Sequence, residues 1–172
     1  MSVYNHSVHV AEQDYRKQLR KDLRIGALAG WLAGAAIMIL FFVYDVLWFR
    51  PLATPDFLSS ALLGSGDLDE GTLTKLRSTR IAIFSILHLV AFTFLGVLFA
   101  RFFRFTRLRK TLLSGGMYGL IVCTAVFSAS MQLTGTQMSA EPGWPALLAG
   151  NFGAGIVMVI FLRRAQGVNS SG

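Results

Sequence analysis

The sequence predicts an all-α membrane protein of four transmembrane helices, with both termini cytoplasmic and a short amphipathic helix in the first outer loop. Two observations carry that expectation. Four apolar stretches are fenced by arginine and lysine: between Arg24 and Arg50 the only charge is Asp45, and 81–100, 111–140 and 142–162 carry none. About 20 apolar residues suffice to cross a hydrocarbon core of ~30 Å. The second observation is where the cations lie. Arg16, Lys17, Arg20, Lys21 and Arg24 precede the first span, Arg101, Arg104, Arg107, Arg109 and Lys110 join the second to the third, and Arg163 and Arg164 follow the fourth. Arg50, Lys75, Arg77 and Arg80 share the first loop with Asp56, Asp67, Asp69 and Glu70, and the last loop has only Glu141. Cations concentrate on cytoplasmic flanks, so this alternation sets the orientation.

The expected organisation is a cytoplasmic polar arm and basic amphipathic helix over 1–24, a four-helix transmembrane domain over 25–162, and a short cytoplasmic tail over 163–172. The spans fall near 25–49, 81–102, 111–133 and 143–162. With 53% hydrophobic and 15% charged residues, no soluble domain of ordinary size remains once the spans are placed. A net charge of +7 would suggest nucleic acid in a soluble protein. Here the cations sit beside spans, so the expected partner is the lipid bilayer and nucleic acid is excluded. The apolar run after Arg24 exceeds a signal peptide's ~7–15 residues and lacks a clear cleavage site, so the first span is expected to stay. Cys123 stands alone in the third span, which excludes an intrachain disulfide, a paired-cysteine redox centre and a cysteine metal cage.

Residues 1–9 are polar and without periodicity, and are expected to form a flexible arm. From Val10 to Arg24 the pattern becomes helical: Glu12 and Arg16 lie one turn apart and Leu19 and Leu23 share a face, so a basic helix should run on into the first span. That span opens with Gly26, Gly30 and Gly34, a small-residue repeat leaving a flat groove that another helix can approach closely. At its far end Trp48, with Trp144 of the fourth span, forms an outer aromatic belt, joined there by Asp45 and Arg50.

In the first loop Thr54 is expected to cap a helix beginning at Pro55, with Asp56 at the positive end of its dipole and Gly64 closing it. Phe57, Leu58, Ala61 and Leu62 form its apolar stripe, which should lie on the membrane or plug the bundle's outer mouth. Span three carries Gly115, Gly116 and Gly119; span four carries Ala146, Gly150 and Ala154 at four-residue spacing, with Gly153 and Gly155 beside them. Both want close neighbours. Glycine in the inner halves of spans one and three hints at a duplicated hairpin, although glycine is common in membrane helices anyway.

The run from Asp45 through Arg50, Pro51, Leu52, Thr54 and Pro55 to Ala61, Leu62, Leu63 and Gly64 resembles a group of small bacterial four-span membrane proteins without an assigned activity. The likeness extends to His88 and its neighbours Leu87, Leu89, Val90, Ala91 and Phe92, and covers about half the chain. It implies the four-span architecture and a bacterial inner (cytoplasmic) membrane, and it transfers no catalytic residue.

Polar groups within a bilayer are costly, which makes them functional candidates. His88 lies seven residues past Ile81 and Asn151 seven past Trp144, both ~10 Å below the outer surface at ~1.5 Å per residue, and Ser128 is close to that level. The three are expected to form a buried polar layer, with His88 hydrogen-bonded to Asn151 or a serine. Asp45 falls at the outer interface, where an ion pair with Arg50 or Arg80, or a hydrogen bond to the loop backbone, outweighs proton transfer as its role. Ser128, Ala129 and Ser130 lack the glycine-flanked elbow of a hydrolase, and the His6 and His9 pair makes no convincing metal site.

The expected function is therefore a non-catalytic subunit packing against other membrane proteins, as accessory subunits of respiratory or photosynthetic complexes do, with Gly26, Gly30 and Gly34 as contact surface and no cofactor required. Self-association into a homo-oligomer would use the same faces. The alternatives are a small oligomeric transporter or channel lined by Asp45, His88, Asn151 and Ser128, and a haem- or (bacterio)chlorophyll-binding protein using His88 as axial ligand.

Overall fold

The computed structural model describes residues 2–63, 70–105, 111–133 and 143–167, all of them helical or in short turns. The chain runs as α1 (Ser2–Leu47), α2 (Ala53–Leu63), α3 (Glu70–Phe105), α4 (Leu112–Tyr118), a π-helical turn (Gly119–Cys123), α5 (Thr124–Leu133) and α6 (Gly143–Gly167). Four helical segments are long and apolar enough to cross a membrane: Tyr15–Leu47, Arg77–Phe103, Leu112–Leu133 and Trp144–Ala165. The chain is thus a multi-pass membrane protein. The third span is α4, the π turn and α5 in succession.

α1 begins at Ser2, so the segment expected as an irregular arm continues the helix. The expected first-turn pairing is present, with the Arg16 guanidinium donating to Glu12 at 2.6 Å. α1 packs chiefly on α3 and α6, and α4 on α6.

Two glycine crossings hold the end of the bundle that carries the termini. In the first, Gly26 and Gly30 of α1 straddle Gly96 of α3: a Cβ on Gly26 would stand 2.8 Å from the Gly96 carbonyl oxygen, and one on Gly30 would overlap the Phe92 carbonyl. In the second, Gly115 and Gly119 straddle Gly155 of α6, and a Cβ on Gly119 would overlap the Asn151 carbonyl. The arrangement repeats: a glycine pair four apart on the odd span, one glycine on the even span, and the carbonyl four residues before that glycine in closest approach. Small residues permit such contact, and dispersion over close backbones supplies the attraction lipid cannot. The first span's glycine groove is therefore filled by the chain's own α3, with Gly34 against the Phe92 side chain at 2.9 Å. It is not an open face, which corrects its expected use as contact surface for another protein. Gly150 does not join the α4 crossing either. It faces the Phe41 ring of α1 at 3.3 Å, while Ala154 is fully buried in the core.

An aromatic cluster fills the space between these crossings. Phe99 stacks on Phe103 and on Tyr118, each with ring centroids 4.5 Å apart. The Tyr118 hydroxyl donates to the Leu95 carbonyl at 3.1 Å, tying the third span to the second. Met158, Val159 and Leu162 of α6 complete this dense half.

At the opposite end the chain reverses between α1 and α2 in five residues. Phe49 (φ 54°) and Leu52 (φ 66°) both adopt the left-handed conformation, which costs a non-glycine residue about 1–2 kcal/mol. Asp45 holds the reversal together. Its carbonyl accepts from the Arg50 N–H at 2.9 Å, and its carboxylate accepts from both the N–H (2.8 Å) and the hydroxyl (2.7 Å) of Thr54. The expectation that Thr54 caps α2 is thus revised: α2 starts at Ala53, Asp45 supplies the capping carboxylate across the turn, and Thr54 is its donor. Trp48 and Trp144 are exposed near this end, Trp48 against Tyr44 and Trp144 edge-on to Phe127.

Candidate functional site

Below α2 the spans do not close. A cavity of about 710 Å³ lies among α1, α2, α3, α5 and α6, walled mostly by aliphatic and aromatic side chains. Leu58 of α2 covers it, and the Arg77 guanidinium, 3.1 Å from the Asp56 carboxylate, ties that cover to the start of the second span. The cavity's size and lining are those of a small-molecule site, in which a few polar groups stand in an apolar wall. Here they are Thr54, Ser85, His88, Ser130 and Asn151, with the Cys123 thiol. Among the described residues no Asp, Glu, Lys or Arg lines it.

His88 is the most informative of these. Its ring lies between Phe92 (centroids 4.6 Å apart) and Phe84 (5.8 Å). One nitrogen hydrogen-bonds the Gly34 backbone, whereas Nε2 is buried with no hydrogen-bond partner. The backbone group of Gly34 left over within a helix interior is its carbonyl oxygen, so Nδ1 carries the proton and Nε2 presents a lone pair. Leaving such an acceptor unpaired costs about 1–3 kcal/mol. Ser85, one turn earlier, cannot donate to it, because its hydroxyl already donates to the Ile81 carbonyl at 2.7 Å.

The structure brings His88 and Asn151 to one cavity, as their common depth predicts, but does not pair them. Asn151 Nδ2 donates instead to the Thr124 hydroxyl at 3.0 Å. Ser128 is not on the cavity wall; Ser130 is, its hydroxyl donating to the Val126 carbonyl at 2.9 Å. The expected polar layer is therefore corrected to two separate groups. The physical reason is the π turn: one extra residue in a helical turn rotates everything after it by about 100°, so depth counted along a regular helix does not give facing. Asp45 is buried at 3% exposure and spends its carboxylate on the Thr54 donors rather than on the cavity.

Sequence reasoning missed Gly96, the partner of Gly26 and Gly30, because an isolated glycine has no spacing to mark it. It also missed Phe84, Phe92 and Leu58 as cavity wall, since aromatic and aliphatic residues in a span are read as lipid-facing or core alike. Among the described residues no three of His, Cys, Asp and Glu converge. Comparison with protein-family models, curated proteins and solved structures finds no match to this chain.

Proposed function

We propose that the chain is a non-catalytic integral membrane subunit that packs against other membrane proteins, an accessory component of a respiratory or photosynthetic complex in a bacterial inner membrane. Both termini lie in the cytoplasm and α2 outside, an orientation supported by the placement of twelve of the sixteen cations on the terminal side. The observation carrying the docking role is a second, open groove between α1 and α6. It has a volume of about 550 Å³, with Ala35 and Ala36 between Trp31, Leu32 and Ile39 on one side and Ile160 and Phe161 on the other. Two alanines flanked by bulk make a valley that a foreign helix can enter. Trp31, 48% exposed, is the residue type that anchors such contacts. With the glycine groove filled by α3, docking passes to this face. The transporter reading has less support, since the 710 Å³ cavity has no described ionisable carboxylate or ammonium to couple a cation.

Mild-detergent purification at native expression tests the proposal. Stoichiometric foreign subunits should accompany the wild type and be lost from Ala36→Leu, which fills the valley without touching either glycine crossing. A lone homo-oligomer would replace this reading by self-association, and partners retained by Ala36→Leu would remove the groove from it.

A further inference from the structure

We infer that the cavity beneath α2 is a binding site for a neutral, membrane-dissolved molecule with a long hydrocarbon body and a single hydroxyl, which donates to Nε2 of His88. The inference stands apart from the docking groove on the other side of α1. Three observations converge on this chemistry. The cavity is large enough for such a body, and its wall is overwhelmingly apolar, so the hydrocarbon is matched and a charged headgroup is not. Its position between the spans opens it to the bilayer rather than to water: Leu87, Val90 and Val126 belong to its wall and are also exposed on the lipid-facing surface. A molecule dissolved in the bilayer can enter sideways, while α2, fixed by Asp45 and by the Asp56 and Arg77 pair, covers the end.

The third observation sets the polar group. With Nδ1 committed to the Gly34 backbone, Nε2 of the neutral ring can only accept, so the ligand must bring the proton. A carbonyl or ether oxygen would meet the lone pair without a hydrogen and gain nothing. Water is a poor substitute, because a buried water needs two to four polar partners, and the nearby Ser85 hydroxyl is already spent on Ile81. The His88 ring is a side chain held by one hydrogen bond and two ring contacts, and a small turn about its torsions brings Nε2 to the cavity surface. A quinol and an isoprenoid or acyl alcohol share this chemistry.

Trp144 provides the readout, because it packs edge-on against Phe127, a wall residue. In a Trp31→Phe, Trp48→Phe background, purified protein in lipid nanodiscs is titrated with 11-bromoundecanol and with 1-bromoundecane, whose bromine quenches indole fluorescence on contact. The alcohol should quench saturably and bind about tenfold more tightly than the alkane, the worth of one neutral hydrogen bond in an apolar site. His88→Phe keeps an aromatic ring between Phe84 and Phe92 and removes the acceptor; it should abolish that preference while alkane quenching persists. Ala91→Phe, at an exposed wall position that tolerates bulk, should weaken both probes. Competition by decylubiquinol against farnesol then tells a quinol site from a lipid-alcohol site. Equal binding of the two bromo-probes to the wild type overturns the hydroxyl assignment, and unsaturable quenching by both overturns the site. A haem or chlorin absorbance that co-purifies and vanishes in His88→Phe replaces the hydroxyl by a metal macrocycle.

Discussion

The two ends of the bundle are built on opposite rules. Toward the termini, backbone meets backbone at Gly26, Gly30 and Gly96 and again at Gly115, Gly119 and Gly155, with the Phe99, Phe103 and Tyr118 rings packed between. Toward α2, the same four spans stand apart around about 710 Å³ of apolar space, and the chain is held there by hydrogen bonds at one carboxylate, Asp45. The difference teaches how a four-span protein can carry a cavity at all. In a bilayer there is little hydrophobic drive to bring spans together, so one end must be zipped tightly enough to let the other remain open. Stability and function are separated along the membrane normal, and substitutions at the two ends should behave differently.

The largest effect is expected at the crossings. Gly30→Leu and Gly155→Leu put a side chain where a carbonyl oxygen of the neighbouring helix already stands, Phe92 in one case and Gly115 in the other. Neither backbone can yield without opening the crossing, so each should cost about 3 kcal/mol or prevent assembly. Unfolding in detergent, followed by circular dichroism or SDS titration, measures this. Gly153→Ala is the control, because a Cβ there meets nothing within 4 Å. It should be neutral or stabilise by up to about 1 kcal/mol through helix propensity. If Gly30→Leu behaves like Gly153→Ala, the zipped end is not what holds the bundle.

Asp45→Ala comes next, at the junction of the open end. It leaves the buried Thr54 N–H and hydroxyl without their acceptor, at a cost of about 1.5–3 kcal/mol for a hydrogen bond to a charged group. The loss should be local. Hydrogen exchange should rise over 53–63 and stay unchanged across 112–118, whereas a uniform rise would mean that α2 is integral to the whole bundle rather than a cover fixed at one point.

How much of this was legible depends on what kind of signal each residue leaves. The four spans could be read because length and the absence of charge are properties of a segment alone. Gly26 and Gly30 announced that a backbone comes close, but a four-residue spacing does not say whose, and the answer was α3 of the same chain. His88 and Asn151 were placed at one level by counting along helices, and both do line the cavity. Their pairing failed because the turn Gly119–Cys123 breaks the regular period, and no charge, proline or capping residue marks a π turn in the sequence. Asp45 was read as an interfacial hydrogen-bonding carboxylate and is one; that it would cap α2 in place of Thr54 required knowing that the reversal uses left-handed Phe49 and Leu52.

A smaller effect is expected within the cavity. Leu58→Ala removes a cover residue that already borders empty space, so little new void is created and the loss should stay near 1 kcal/mol, at or below the low end for buried leucine. Ala91→Phe adds bulk to the same space and should be neutral or slightly stabilising, the reverse of any such change at Gly30. A destabilisation by Ala91→Phe as large as that of Gly30→Leu would show that the open end is as tightly packed as the zipped one.

The smallest effect concerns the one place where the second hairpin departs from the first. Asn151 occupies in the Gly155 crossing the position that Phe92 occupies in the Gly96 crossing, four residues before the central glycine, with its carbonyl in the same close approach. Its side chain, unlike that of Phe92, is polar, and it donates to Thr124, the first residue after the π turn. In a bilayer such side-chain pairs average about 0.6 kcal/mol and reach roughly 1.7, because the unfolded helices also find partners. Asn151→Leu and Thr124→Val should therefore each cost well under what either glycine variant does, and a double-mutant cycle should return a coupling in that range. A coupling near zero would mean that Asn151 serves the cavity rather than the crossing. One well above the range would mean that the π turn is held open by this hydrogen bond, and the double variant should then regain a regular helix over 119–123, with Ser128 and Ser130 exchanging places on the cavity wall.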